Sequence, residues 1–267
     1  MSDPALQEQI TAAEAYEGLY VPALFHQWAA RVLDAARVEP GQRVLDVACG
    51  TGVLAREAAV RVGPTGFVAG VDIEPGMLAV AERLAPAVEW RVGSAEALPY
   101  PDGSFDAVVS QFGLMFFPDR REALREMLRV LAPKGHLAVA VWDSLQNSAA
   151  YPIAVELLER LAGPPAADAL RAPFVLGDTE ELASLFESAG ATTVRVATHH
   201  GTARFPSIRT MVEADLRGWL PVMGVMLEEP LIEQILAEAE TALQEYVTPE
   251  GEAVFDSPGH IITATRA

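Results

Sequence analysis

A nine-residue stretch, Val44-Leu45-Asp46-Val47-Ala48-Cys49-Gly50-Thr51-Gly52, constrains the fold more than any other part of the chain. An apolar run that contains an acid is followed by a tight turn of small residues, and a helical pattern starts at Val53. A second apolar run, Phe67–Val71, ends at Asp72. Strand, glycine turn, helix, strand and terminal acid, in this order, describe a βαβ unit that binds a nucleoside cofactor.

The turn also indicates which cofactor binds. Gly50 and Gly52 let the backbone approach a ligand, and Asp72 at a strand end can accept hydrogen bonds from ribose hydroxyls. A dinucleotide turn needs a third glycine for close helix packing, whereas Ala55 stands at that position here. Asp46 places a negative charge where a pyrophosphate would be repelled but an amino group and a sulfonium would be attracted. S-adenosylmethionine carries both groups and is therefore the predicted cofactor.

Four segments in order resemble the class I S-adenosylmethionine-dependent methyltransferases. The similarity is to the branch that includes the ubiquinone and menaquinone C-methyltransferases and many small-molecule methyltransferases. The segments are Asp46–Gly52 for the glycine loop, Val71–Leu78 for the ribose-binding acid and its helix, Gly93–Asp106 for the adenine loop, and Arg129–Leu137 for the turn into the fifth strand. Two positions depart from the family pattern: Ala48 stands where glycine is frequent, and Ser94 where aspartate is frequent.

The resemblance implies a set of site residues. The predicted cofactor-binding residues are Asp46, Ala48, Gly50, Gly52, Asp72, Ile73, Met77, Ser94, Ala95, Glu96, Gln111, Phe112 and Tyr20. The predicted substrate-pocket residues are Tyr16, Phe116 and Trp142, although aromatic residues at such positions are also typical of a core. His26 is the candidate general base, because the resemblance implies that the N-terminal helical segment folds over the cofactor. No cysteine–histidine spacing typical of metal ligands is present, so no metal is predicted.

Apolar periodicity and turn residues predict the strands. They are expected at 43–47, 67–71, 88–92, 105–111, 136–142, 192–199 and 259–265. The resemblance implies an α/β fold: a Rossmann-like, seven-stranded, mostly parallel sheet with an antiparallel last strand beside the sixth, helices on both faces and a helical cap.

The chain is predicted to form one core with a cap. Residues 1–40 are a helical leader that covers the cofactor site, residues 41–202 and 254–267 are the core, and residues 203–253 are a helical cap insertion. Helices are expected at 207–217 and from Pro230 to Tyr246 within the insertion, and around Tyr151–Leu161 before a loop at Gly163-Pro164-Pro165. The apolar faces of the leader and insertion helices favour closure over the sheet edge. The alternative is that the insertion forms a homodimer interface.

Composition limits the partners. The net charge of −18, from 37 acidic and 19 basic residues, argues against a nucleic-acid substrate. The apolar run Gln111–Phe117 favours an apolar or aromatic acceptor, and the expected substrate is a small aromatic, polyketide-like or isoprenoid molecule. No apolar run is long enough for a membrane span, the N-terminus lacks a signal-peptide pattern, and the single cysteine, Cys49, indicates a reducing cytoplasm.

Two other functional classes stay open at this point. One is a nicotinamide-dependent oxidoreductase, against which Asp46 and the missing third glycine argue. The other is a non-catalytic binder of a nucleoside cofactor that keeps the same fold. A thermal-shift comparison of S-adenosylhomocysteine with NAD would separate the methyltransferase from the oxidoreductase.

Overall fold

The computed structural model describes residues 4–266. The α-helices are α1 Pro4–Tyr20, α2 His26–Ala35, α3 Val53–Val62, α4 Pro75–Leu84, α5 Arg120–Val130, α6 Tyr151–Ala162, α7 Pro164–Arg171, α8 Thr179–Ser188, α9 Ile208–Ala214, α10 Leu220–Val222 and α11 Glu229–Ala242. The strands are β1 Arg43–Val47, β2 Phe67–Asp72, β3 Glu89–Val92, β4 Phe105–Gln111, β5 Leu131–Trp142, β6 Ala191–His199, β7 Thr202–Phe205, β8 Ala253–Asp256 and β9 Gly259–Arg266.

The chain folds into two compact units. The first, here the sheet unit, comprises the described residues up to Val141, Asp178–His199 and those from His260. The second, here the helical unit, comprises Trp142–Gly177 and His200–Gly259. The leader lies in the sheet unit, where α1 packs against α4.

The sheet has seven strands in the order β3-β2-β1-β4-β5-β9-β6. Strands β1 to β5 are parallel to their neighbours, and β9 is antiparallel. This confirms the predicted fold class, including a last strand placed beside the sixth. Strand β1 lies in the middle of the parallel part, and its residues after Arg43 are buried. The turn after β1 and the acid that ends β2 therefore meet at the carboxyl ends of these two neighbouring strands.

The predicted strands are found, with one difference at the fifth. β5 begins at Leu131 instead of at 136, because Leu131 pairs with Phe105 before the register resumes at Ala107 and His136. Residues 132–135 loop out between these pairs, and Lys134 has a left-handed φ of 68°. This irregularity accommodates Pro133, which has no N–H to donate to a strand.

The helices of the core begin at residues that stabilise a helix start. Pro75 is in the first turn of α4, where its missing N–H costs nothing. Asp119 caps α5 by accepting a hydrogen bond from Glu122 N. Asp178 caps α8 by accepting from Glu180 N and Glu181 N.

The helical unit differs from its predicted outline in three places. A two-stranded antiparallel sheet of β7 and β8 flanks the insertion, with Thr202 opposite Asp256. The predicted loop at Gly163-Pro164-Pro165 is wrong, because α7 begins at Pro164; proline is well suited to a first helical position. The helix expected at 207–217 is observed as α9 followed by a π-helical turn, Asp215–Trp219.

Candidate cofactor site at the carboxyl ends of β1 and β2

The turn after β1 is held in left-handed conformations. Ala48, Gly50 and Gly52 have φ values of 57°, 54° and 84°. Gly52 N donates to Cys49 O at 2.8 Å, and Gly52 then caps the start of α3. Alanine is strained at such a φ and glycine is not. Ala48 therefore stores strain at the residue where the related family often has glycine.

Asp72, at the end of β2, is tied to this turn. Its Oδ2 accepts a hydrogen bond from Gly50 N at 2.8 Å, and its Oδ1 accepts from Glu74 N at 3.0 Å. Burial raises the pKa of Asp72 above its ordinary value, and hydrogen bonds from the backbone of Glu74, Gly50 and Ile73 oppose that rise. Each carboxylate oxygen has a second lone pair, so Asp72 can bind a pair of hydroxyls while it holds the turn.

Asp46 lies on β1, the strand next to the one that ends in Asp72, and is 1% exposed. Its Oδ2 accepts from Ala55 N at 3.0 Å. Its Oδ1 is buried and has no hydrogen-bond partner within residues 4–266. Burial, with the nearby charge of Asp72, raises the pKa of Asp46 well above its ordinary value. An unpartnered buried carboxylate oxygen of this kind fits a cationic ligand group.

The leader reaches the turn through α1. Tyr16 is the neighbour of Gly50, because a Cβ built on Gly50 would lie 4.0 Å from its Cε1. Burial, followed by the charges of Asp72, Glu17 and Asp46, raises the pKa of Tyr16. The phenol therefore stays protonated at neutral pH and is a hydrogen-bond donor.

An ion pair fixes the leader to the turn. Arg56 on α3 bonds Glu17 on α1 at 2.7 Å and donates to Thr51 O at 3.0 Å. Both side chains are about one-quarter exposed. Neither Glu17 nor Arg56 is predicted from the sequence, because charged side chains at these spacings are typical of solvated helix faces.

The end of β4 supplies a second set of groups. Gln111 donates from Nε2 to Phe25 O at 3.2 Å, and its buried Oε1 has no partner in the described chain. Phe112 has a left-handed φ of 57°, is buried, and packs edge-on against Trp28. Phe116 is 41% exposed. Gln111 and Phe112 therefore lie beside the leader, and Phe116 is partly exposed to solvent.

The loop after β3 holds a bonded pair. Ser94 Oγ donates to Glu96 Oε2 and accepts from Glu96 N at 3.2 Å. The Ser94 hydroxyl hydrogen is therefore used within the loop. The hydroxyl oxygen could still accept a hydrogen bond from an adenine amino group. Ala95 is buried.

Arg129 fastens this loop to α5. Its guanidinium bonds Glu126, Asp102 and the carbonyls of Leu98 and Tyr100. Leu98 N in turn donates to Glu126 Oε2 at 2.8 Å. The Arg129 hydrogen bond is the main cause that lowers the pKa of Glu126. Backbone groups of the loop after β3 are therefore bonded to two side chains of α5, those of Arg129 and Glu126.

The other predicted residues are placed as follows. Ile73 follows Asp72 and is 62% exposed, whereas Met77 on α4 is half-buried. Tyr20 packs against Tyr16 with ring centroids 5.9 Å apart. Trp142 ends β5, is buried and belongs to the helical unit.

The histidines and the cysteine have distinct settings. His26 is exposed and lines a cleft of the sheet unit with Glu17 and Arg56. His260 is buried and its Nδ1 bonds Thr198 Oγ1 at 2.9 Å, which is a structural role. Cys49 is buried, and burial raises its thiol pKa well above the ordinary value. Cys49 is therefore an unreactive space-filling residue.

Residues 4–266 contain neither a metal-ligand cluster nor a membrane-spanning helix. No group of three or more histidine, cysteine, aspartate or glutamate side chains could hold a metal ion there. No helix in that range is long and apolar enough to cross a membrane.

Comparison with known proteins assigns the segment that contains the turn. Residues 45–139 match the family described as "Methyltransferase domain". The ubiquinone/menaquinone biosynthesis C-methyltransferase of Ectopseudomonas mendocina is 45% identical over 130 residues, which cover 46% of this chain and 51% of the relative. The chain thus spans about half the length of the curated relatives it matches.

Solved structures show the same fold. The YcgJ protein of Bacillus subtilis superimposes with a TM-score of 0.59 at 21% identity, covering 91% of this chain and 99% of that one. Phosphoethanolamine N-methyltransferase 2 of Haemonchus contortus has a TM-score of 0.61 at 17% identity, covering 96% of this chain and 57% of that one. Residues 45–139 are therefore similar to a methyltransferase domain, and the chain shares the fold of the solved structures. The similarity of this segment to a ubiquinone/menaquinone biosynthesis C-methyltransferase agrees with the predicted resemblance.

Proposed function

We propose that this protein is an S-adenosylmethionine-dependent methyltransferase that acts on a small molecule. The observation that carries the proposal is the buried Asp46 carboxylate at the glycine turn, with one oxygen that lacks a partner within residues 4–266. A buried anion there favours a ligand with positive charge and disfavours a pyrophosphate. S-adenosylmethionine would supply an activated methyl group on a cationic sulfur.

The residues of the turn divide the binding between them. Asp72 would accept from the ribose hydroxyls while its bonds to Gly50 N and Glu74 N hold it in place. Asp46 Oδ1 and Gln111 Oε1, both buried acceptors, would face the cationic end of the ligand. Tyr16, kept protonated by its raised pKa, would donate to an anionic group. The chain would accelerate transfer by alignment and by exclusion of water.

The acceptor is proposed to be small and apolar or aromatic, such as a quinol ring with an isoprenoid tail. One curated relative is named as a ubiquinone/menaquinone biosynthesis C-methyltransferase, and another, from Renibacterium salmoninarum, as a demethylmenaquinone methyltransferase. The exposed face of Phe116 is consistent with an aromatic acceptor. His26, on the cleft with Glu17 and Arg56, remains the predicted base for an acceptor that must lose a proton.

We further propose four features that the sequence predicts. They are the boundaries of the leader, core and cap, the substrate roles of Tyr16 and Trp142, a homodimer, and a cytoplasmic location. Sedimentation equilibrium on the full chain would decide the homodimer. A monomer that still turns over would exclude the insertion as an obligatory interface.

The oxidoreductase alternative is disfavoured by a contact as well as by the sequence. In a dinucleotide turn the backbone N–H groups at the helix start face the pyrophosphate. Here Ala55 N, at the third-glycine position, donates to Asp46. This donor is therefore not available to a phosphate.

A methyl-transfer assay tests the proposal. The full chain is incubated with S-adenosylmethionine that carries a ¹³C-methyl group and with short-chain demethylmenaquinol, and products are followed by mass spectrometry. We expect equal amounts of S-adenosylhomocysteine and ¹³C-methylated acceptor. The Asp46→Asn variant should lose most of the rate, and Asp106→Asn, at the opposite end of the sheet, should keep it. A chain that binds S-adenosylmethionine but forms no S-adenosylhomocysteine with any small aromatic acceptor would support the non-catalytic alternative.

A further inference from the structure

The indole of Trp90 lies against the glycine turn from the side of the sheet. Trp90 is on the edge strand β3 and pairs with Gly70 on β2. A Cβ built on Gly70 would lie 2.4 Å from Cζ3 and 2.5 Å from Cε3 of Trp90. The ring therefore occupies the space that a side chain at position 70 would need.

The same ring extends to the turn itself. A Cβ built on Gly52 would lie 2.4 Å from Cη2 of Trp90. Cys49 Sγ approaches the same Gly70 position to within 2.9 Å. Trp90 therefore fills a space bounded by β2 and by two residues of the turn, and Gly52 is required to be glycine by the indole as well as by its φ.

Trp90 is itself fixed on the far side. Its Nε1 donates to Ala85 O at 3.0 Å, where α4 ends. The ring thus connects the end of α4, strand β2 and the turn. A rigid ring held by a hydrogen bond transmits position better than a flexible aliphatic side chain.

We propose that Trp90 is a positioning residue for the cofactor: it sets the height of the glycine turn relative to Asp72. Asp72 holds the turn through Gly50 N, and the indole supports it at Gly52. Together they fix the distance between the ribose-binding carboxylate and the turn. This inference rests on the proposed function for the identity of the ligand but not for the support of the turn.

The test compares Trp90→Leu with Phe186→Leu. Phe186 is a fully buried aromatic residue on α8, which packs against α5 and β6, at the opposite edge of the sheet from β3. Both variants lose aromatic volume in the sheet unit. We expect Trp90→Leu to weaken S-adenosylhomocysteine binding at least tenfold by calorimetry, and Phe186→Leu to leave it within twofold at a similar loss of thermal stability.

Two further measurements separate positioning from general destabilisation. In the absence of ligand, amide hydrogen exchange at Gly50 and Gly52 should be faster in Trp90→Leu but not in Phe186→Leu. Gly70→Ala should lower affinity strongly when Trp90 is present, because of the 2.4 Å approach. In the Trp90→Leu background the same change should cause a much smaller loss, from the remaining 2.9 Å approach of Cys49 Sγ. Phenylalanine at position 90 in place of leucine should restore most of the affinity.

The possible outcomes decide the proposal. Unchanged affinity and unchanged exchange in Trp90→Leu would overturn it, as would additive losses for Gly70→Ala and Trp90→Leu. If the unsubstituted chain does not bind S-adenosylhomocysteine, the proposed function and the cofactor role of Trp90 both fail. The exchange data then still show whether the indole supports the turn.

Discussion

Replacement of Asp72 by alanine separates its two roles, which are to hold the turn and to bind the ribose. The structure gives two backbone donors, Gly50 N at 2.8 Å and Glu74 N at 3.0 Å. A hydrogen bond to a charged group contributes about 1.5–3 kcal/mol. The burial that raises the pKa of Asp72 offsets part of this. We therefore expect a loss of about 2–3 kcal/mol in unfolding free energy.

The effect on binding adds to this effect on stability. Loss of one charge-assisted bond to the ribose, at about 1.5–3 kcal/mol, lowers affinity roughly tenfold to a hundredfold. From the sequence alone, Asp72→Ala is expected to bind more weakly with an intact fold. The two backbone hydrogen bonds to Asp72 show that the variant also loses stability. Calorimetry with S-adenosylhomocysteine and urea unfolding measure the two effects separately.

A matched control is available at the other end of the sheet. Asp106 also accepts a backbone hydrogen bond, from Arg43 N at 2.8 Å, and lies near the start of β4. Asp106→Ala should lower stability but leave affinity unchanged. If Asp72→Ala lost stability but bound S-adenosylhomocysteine as the unsubstituted chain does, Asp72 would be a structural residue only and the ribose assignment would be refuted.

Three other predictions concern the turn. Gly52→Ala should impair both folding and cofactor binding, because its Cβ would lie 2.4 Å from the indole of Trp90. Gly50→Ala meets no atom closer than 4.0 Å and should cost only about 1–2 kcal/mol of backbone strain, and urea unfolding of both variants measures the difference. Gly113→Ala should be destabilising because its Cβ would lie 2.7 Å from Ala48 Cβ, and Ala48→Gly should rescue it, which a double-mutant cycle measures. Burial raises the pKa of Asp46, so the affinity for S-adenosylmethionine, measured by calorimetry across pH, should fall as pH decreases through a value above that of a free aspartate. With the sign worked out, a raised folded-state pKa means that the unliganded protein loses stability as pH rises through that range; an affinity that stays flat down to pH ~4 would contradict the role of Asp46.

Much of the sheet was predictable because its signals are local. Strand β1 begins and ends where the apolar run between Arg43 and Val47 does, and the acid that ends β2 follows directly from the sequence. The β7–β8 pair was not predictable in the same way. Its strands are four residues each and lie far apart in the chain, so no turn signal joins them.

The contacts within the site were less predictable than its motifs. The support of the turn by Trp90 depends on the register that places it beside Gly70, which no local pattern gives. The pair of Glu17 and Arg56 joins α1 to α3 across 39 residues. The left-handed φ of Ala48 and Phe112 is likewise imposed by tertiary structure, because neither residue favours it.

The central claim is that the turn with Asp46 and Asp72 binds S-adenosylmethionine and not a dinucleotide. Titration calorimetry of the full chain with S-adenosylmethionine, S-adenosylhomocysteine and NAD tests it most directly. The account predicts saturable one-to-one binding of the two sulfur-containing nucleosides, weakened in Asp72→Ala, and no heat of binding for NAD. Saturable binding of NAD with none for S-adenosylmethionine would contradict it.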